Sequence, residues 1–155
     1  MDVISLTQKL ISFNSVNPPG NEAAIARFTG ELLSSYGFSV EYTEFEENRL
    51  HMVAEKGLSP SIPPLVLSGH FDTVPAGAIQ WDSDPFIGYI KGDKLFGRGS
   101  SDMKGGLAAM ICATVQAFIE SRPAGGIRLI FTSAEETGCQ GCGQLVKINK
   151  KLGIR

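Results

Sequence analysis

The chain has 155 residues, 14 of them basic and 16 acidic, for a formal net charge of −2, so it lacks the basic footprint by which nucleic acid is bound. No apolar run approaches the ~18 residues of a membrane span, and the opening MDVISLTQKL carries an acid and polar breaks where a signal peptide is basic and then apolar. A soluble, cytoplasmic chain of about one domain is expected, with no nucleic-acid or membrane partner, and three cysteines without a disulfide framework fit a reducing compartment.

Asp2 is placed to cap a first helix whose apolar positions Val3, Leu6, Leu10 and Ile11 recur at helical spacing, and residues 14–20, with two prolines, end it. Asn21 then caps a second helix with the stripe Ile25, Phe28 and Leu32, Leu33 beside it, and Gly37 as the left-handed stop. Residues 39–55 hold two alternating runs, around Val40 and Tyr42 and from Leu50 to Ala54. They read as antiparallel edge strands joined through a solvated acidic turn at 44–48. His51 lies in the second run and reads as structural or solvated.

A proline-rich loop at 57–64 leads into the stretch around which the chain is organised, Leu67-Ser68-Gly69-His70-Phe71-Asp72-Thr73-Val74-Pro75. An apolar strand ends there on His70, and Pro75 stops any further ladder. Residues two apart on an extended segment point to the same side, so Asp72 can bond one ring nitrogen of His70 while the other faces a cation. Taken alone, the nonapeptide fits a surface histidine beside a turn aspartate equally well, and partners elsewhere decide.

Residues 76–85 read as loop, with Trp81 and Phe86 as packing residues. Residues 86–96 read as a hairpin turning at Lys91-Gly92-Asp93-Lys94 and packing beside the site. The glycine-rich segment from Gly97 to Gly106, containing Asp102, opens a long helix with Leu107, Met110, Ile111, Thr114, Val115 and Phe118 on one face. An apolar strand over 127–132 follows and ends in Ser133-Ala134-Glu135-Glu136, and residues 145–152 read as a short basic helix. The order strand, helix, strand predicts a right-handed crossover and hence an α/β fold with a mostly parallel mixed sheet and helices on both faces.

Ligands of such sheets gather outside the carboxyl ends of the strands. One strand ends at His70 and the other at Glu135-Glu136, and Asp102, at the N-terminus of the long helix, belongs to the same face. One histidine and three or four carboxylates therefore converge, and a divalent cation is the economical explanation of so much like charge. A phosphate-binding reading of the glycine loop fails on spacing: Lys104 is followed by Gly105 where a Walker loop has Ser or Thr, and Gly97-Arg98-Gly99 lacks the third glycine of a dinucleotide fingerprint. Cys139-Gln140-Gly141-Cys142 has the spacing of a zinc or redox pair, but no second pair exists and it reads as incidental.

Three motifs, Ser68 to Pro75, Gly97 to Gly106 and Thr132 to Gly138, together resemble the dinuclear zinc amidohydrolases and peptidases that include acetylornithine deacetylase, succinyl-diaminopimelate desuccinylase and aminoacylase. Asn17-Pro18-Pro19-Gly20-Asn21-Glu22 looks like that family's N-terminal loop. The resemblance implies a zinc-aminopeptidase-like catalytic domain with two Zn²⁺ ions, Co²⁺ being an alternative. It makes His70 a ligand of one ion, Glu136 of the other and Asp102 the bridge, with Asp72 orienting His70 and Glu135 as general acid/base. The implied substrate is an N-acyl amino acid or a peptide, and full-length relatives are expected to be homodimers.

The resemblance also implies a lid domain and further metal ligands, an acidic residue and a late histidine, whereas no Asp, Glu or His follows Glu136. Residues 1–155 are therefore expected to be the N-terminal part of a catalytic domain, inactive alone; a non-catalytic remnant or interaction module is the competing expectation.

Overall fold

The computed structural model describes residues 1–78 and 80–148. Helix α1 spans Val3–Ile11, and the Asp2 carboxylate accepts the Ser5 N–H at 2.7 Å, satisfying one of the donors that every helix start leaves open. Helix α2 spans Ala23–Ser35. Asn21 does not cap it: Glu22 occupies the cap position without a capping bond, because its carboxylate is committed to Arg49.

The end of α2 follows the expectation for Gly37. At φ +79° this glycine bonds Ser34 O while Phe38 N–H reaches Leu33 O, the paired bonds of a Schellman stop. A Cβ there would meet only the end of the Lys56 side chain, Nζ at 3.6 Å and Cε at 4.0 Å, so the cost of a side chain is conformational rather than steric. Gly37→Ala is accordingly expected to lower stability by about 1–2 kcal/mol, read from the denaturant midpoint at an unchanged slope.

Strands β1 (Ser39–Glu46), β2 (Arg49–Lys56), β3 (Leu65–His70) and β6 (Ile127–Thr132) form one mixed sheet in the order β1-β2-β6-β3. The crossover pair β3 and β6 is parallel, as the strand, helix, strand order requires, whereas β2 runs antiparallel to both β1 and β6. Only β1 of the first hairpin lies at an edge. β2 sits between β1 and β6 and is buried from Arg49 to Ala54, which corrects its reading as an edge strand. The connecting turn is also shorter than the acidic run, since β1 continues to Glu46 and Asn48 turns the chain at φ 61°.

Alternation decides which residues form the core. Met52 and Ala54 of β2 and Leu129 and Phe131 of β6 point to one face, where they are buried with Leu10 of α1, Ile25 and Leu33 of α2, and Leu107 and Ile111 of α3 (Gly105–Glu120). Each of these side chains larger than alanine contributes roughly 1.5–3 kcal/mol by leaving water. Phe71, just beyond β3, closes this core edge-on against Phe131 at 5.5 Å between ring centroids.

His51 points to the opposite face and is fully buried, its Nδ1 accepting the Ser133 N–H at 3.0 Å. Burial holds its pKa below the ordinary imidazole value. Helix α4 (Gln140–Ile148) covers this side, with Gly141 seated against Ser133 and the His51 ring, and Gln144 donating to the Phe45 carbonyl. Helices thus lie on both faces. α4 begins five residues before the expected basic helix, and the last residues of that expectation, 149–152, lie outside the described residues.

The second hairpin, β4 (Tyr89–Lys91) and β5 (Lys94–Phe96), turns at Gly92 as expected. It packs on α1: the Gly88 carbonyl accepts Gln8 Nε2, and Gly97 lies against Ile11. Trp81 is tied by its indole N–H to the Ala76 carbonyl and stacked under Arg98, in keeping with a packing role. Among the described residues no helix is long and apolar enough to cross a membrane.

Candidate metal centre

Because β3 and β6 are parallel and in register from Leu65 opposite Ile127 to His70 opposite Thr132, their carboxyl ends lie side by side. The Phe71 N–H extends the ladder by one bond, to Thr132 O at 2.8 Å. The chain after β6 then turns sharply at Ala134, a non-glycine residue at φ 58°, and this swings the backbone of Glu135 and Glu136 over Asp72.

Asp72 is fully buried and every one of its contacts is a donor. Its Oδ1 accepts the Glu135 N–H at 3.1 Å, and its Oδ2 accepts the Glu136 N–H at 3.0 Å and Asn17 Nδ2 at 2.8 Å. Burial opposes this charge, but the His70 imidazole, Asn17 and the two backbone N–H groups outweigh it and hold the carboxyl down to about 2. Its bond to His70 runs largely through the backbone: His70 Nδ1 is 3.0 Å from the Asp72 carbonyl oxygen and 3.5 Å from Oδ1. A carbonyl only accepts, so Nδ1 donates and Nε2 faces outward.

The other side of the site is set by the glycine loop. Gly99, at φ 83°, lets the chain pass against Thr73, and Lys104 is fully buried, donating to the Phe13 carbonyl at 2.6 Å; burial pushes its pKa down to about 8. Gly69 leaves room for Met103, whose sulfur accepts the His70 N–H at 3.3 Å. Asp102 lies three residues before α3 in an extended conformation, so its carboxylate stands ahead of the helix N-terminus at which the sequence placed it; its side chain is 74% exposed and reaches His70 Nε2 at 3.1 Å. Glu135 Oε2 stands 3.8 Å from the same nitrogen.

The expected cluster therefore assembles. One ligating atom each from His70, Asp102 and Glu136 can be chosen so that all lie within 4.8 Å of one another. Carboxylates so gathered repel: burial, and then the charge of Asp102, push the Glu136 pKa up. Burial disfavours the charged imidazole of His70, yet Asp72 and Glu135 raise it to about 9. One imidazole nitrogen and two carboxylates form a donor set that fits a divalent cation, which would relieve this repulsion.

Sequence reasoning missed three features of the site. Asn17 was grouped with a loop motif, yet its amide links Asp72 to Thr137 Oγ1, 3.2 Å away. Glu22, expected only to follow a helix cap, accepts the Ala134 N–H at 3.3 Å. Cys139 and Cys142 are free and exposed, but Cys139 Sγ donates to Glu135 Oε1 at 3.5 Å, which raises the thiol pKa.

Comparison with known proteins places this geometry. Residues 66–155, more than half of the chain, match peptidase family M20/M25/M40. The chain is 39% identical over 139 residues to a succinyl-diaminopimelate desuccinylase of Wolbachia pipientis subsp. Culex pipiens, covering 88% of this chain and 34% of that relative. It is 37% identical over 154 residues to the enzyme of the same name from Buchnera aphidicola subsp. Cinara cedri, covering 97% of this chain and 39% of that one. The chain thus spans little more than a third of the curated relatives it matches. The fold superposes with a TM-score of 0.86 on an M20 family metallo-carboxypeptidase from Sulfolobus solfataricus, at 22% identity and covering 99% of this chain and 36% of that one. The motif order, the parallel crossover and the sequence match agree that this chain belongs to peptidase family M20/M25/M40.

Proposed function

We propose that residues 1–155 supply the N-terminal catalytic portion of a metal-dependent amide hydrolase that removes an acyl group from an N-acyl amino acid, of the succinyl-diaminopimelate desuccinylase or acetylornithine deacetylase type. The observation that carries this reading is the convergence of His70, Asp102 and Glu136 beside Glu135 at the carboxyl ends of β3 and β6. The desuccinylase names of the relatives at 37–39% identity support the choice of substrate class. Segments beyond these residues complete the site in this reading, as they do the dimer.

In this reading His70, Asp102 and Glu136 would hold the metal, Zn²⁺ with Co²⁺ as a substitute. When bound, the cations supply Lewis acidity to a water and to the scissile carbonyl. The protein's own part is positional and protonic. Asp72 fixes the ring of His70 through its carbonyl and holds both glutamate N–H groups through its carboxylate. Glu135, with a side chain 41% exposed, is open to water; it takes the proton of the attacking water and returns it to the departing amine. The products are a carboxylate and a free amine.

Calorimetric titration with Zn²⁺ tests the ligand assignment. The wild-type chain is expected to bind, and His70→Ala to bind at least ~10-fold more weakly, since a ligand is a greater loss than the outer partners whose removal costs ~10–100-fold. Equal affinity in the two proteins would remove the assignment.

A further inference from the structure

We propose that the buried Glu22–Arg49 pair is a positioning device that holds the turn carrying Glu135 and Glu136 in its working conformation. The inference rests on the function proposed above for what that turn does, and on geometry for how the turn is held.

Glu22 is fully buried, and Arg49 nearly so. The guanidinium meets the carboxylate edge-on, Nη2 to Oε1 at 2.8 Å and Nε to Oε2 at 3.0 Å, and Oε1 also accepts the Ala134 N–H. The loop before Glu22 is shaped around this pair, because Gly20, at φ 91°, has no room for a Cβ beside the guanidinium. Taking two charges out of water rarely adds net stability over an apolar pair of the same volume, so stability alone is a poor reason for this arrangement. Its third contact supplies a better one.

Ala134 is an L-residue held in the left-handed region, a conformation that persists only where surrounding bonds over-determine it. Here three consecutive N–H groups are each taken by a buried carboxylate: Ala134 by Glu22, Glu135 and Glu136 by Asp72. Asn17, from the same loop as Glu22, joins Asp72 to Thr137 at the far end of the turn. The loop at 17–22 therefore clamps the turn at 134–137 from both ends. Release of the Ala134 N–H lets this residue relax out of the left-handed region and rotates Glu135 and Glu136 off Asp72. Glu22 touches neither His70 nor Asp102; it acts through Ala134.

The test compares Glu22→Gln with Glu22→Gln/Ala134→Gly, because glycine occupies the left-handed region without penalty and removes the drive to relax. Amide hydrogen exchange is followed by NMR in the metal-free chain, and Zn²⁺ affinity by calorimetry. Glu22→Gln loses the charge and turns an NH₂ group toward one of the three donors that the carboxylate accepts, so it is expected to speed exchange at Glu135 and Glu136 by about tenfold over amides of β2 and α3, and to weaken Zn²⁺ binding by a similar factor. The second change should restore most of both. Should Glu22→Gln fail to fold, Glu22→Asp keeps a charge for Arg49 while withdrawing the oxygen from Ala134, and the same selective loosening is expected. Uniform acceleration over the whole sheet, or no recovery with Ala134→Gly, would overturn the inference. Selective exchange in a chain that binds no Zn²⁺ would support the clamp and sink the metal reading instead.

Discussion

Glu135→Gln is expected to lower kcat by about 10²–10⁴-fold in an enzyme where residues 1–155 replace the matching segment of the Wolbachia desuccinylase, with metal content nearly unchanged. The unmodified chimera sets the reference. Glutamine preserves size and one acceptor, so packing and the Glu135 N–H bond to Asp72 remain. What disappears is the ability to hold a proton between the attacking water and the departing amine. The side chain faces His70 Nε2 at 3.8 Å, close enough to serve a water beside the cluster, and it is not one of the three residues whose ligating atoms converge. A parallel loss of metal in Glu135→Gln would show instead that this carboxylate is a ligand. Retained turnover would remove it from the chemistry altogether.

The parts of this site that could be read in the sequence are those fixed by local rules. A strand that ends on His70, a helix that follows a glycine loop, and a second strand that ends on two glutamates determine one another through the parallel crossover, and the structure puts all three ends together. What could not be read depends on contacts between distant segments. Nothing local says that Asn17 meets Asp72, 55 residues away, or that Glu22 meets Ala134, 112 residues away. Both belong to a stretch rich in proline and glycine, which signals a loop but not what the loop holds. His51 was ambiguous for a related reason. Alternation places it on one face of β2 but cannot tell that α4 covers that face, because α4 starts at Gln140, among glycines and cysteines that weaken any helical signal. Helix rules set Asp102 at the start of the long helix, whereas Met103 and Lys104 separate it from α3, and Asp102 and Met103 are not helical.

Asp72→Asn separates two accounts of the residue that binds the site together, and it is expected to be nearly as damaging as Asp72→Ala. If the carboxylate served chiefly to orient His70, asparagine would be mild, since the His70 Nδ1–H bonds the Asp72 main-chain carbonyl at 3.0 Å and that group is unchanged. The donors around the carboxylate argue otherwise. Oδ1 faces the Glu135 N–H, and Oδ2 faces the Glu136 N–H and the Asn17 amide, so an asparagine NH₂ in either orientation points a donor at another donor. Each buried donor left without its acceptor costs about 1–3 kcal/mol, and losing the charge removes the stronger form of the bonds that survive. A stability loss of roughly 3 kcal/mol or more is expected for both variants in denaturant unfolding, together with a fall in Zn²⁺ affinity of about 10–100-fold as Glu136 loses its anchor. The two glutamate N–H groups should report the change first, by faster exchange than at Thr132 on the adjoining strand. If Asp72→Asn instead retained wild-type stability and metal affinity while Asp72→Ala lost both, the carboxylate's two backbone bonds would carry no weight, and its role would reduce to filling the space beside His70.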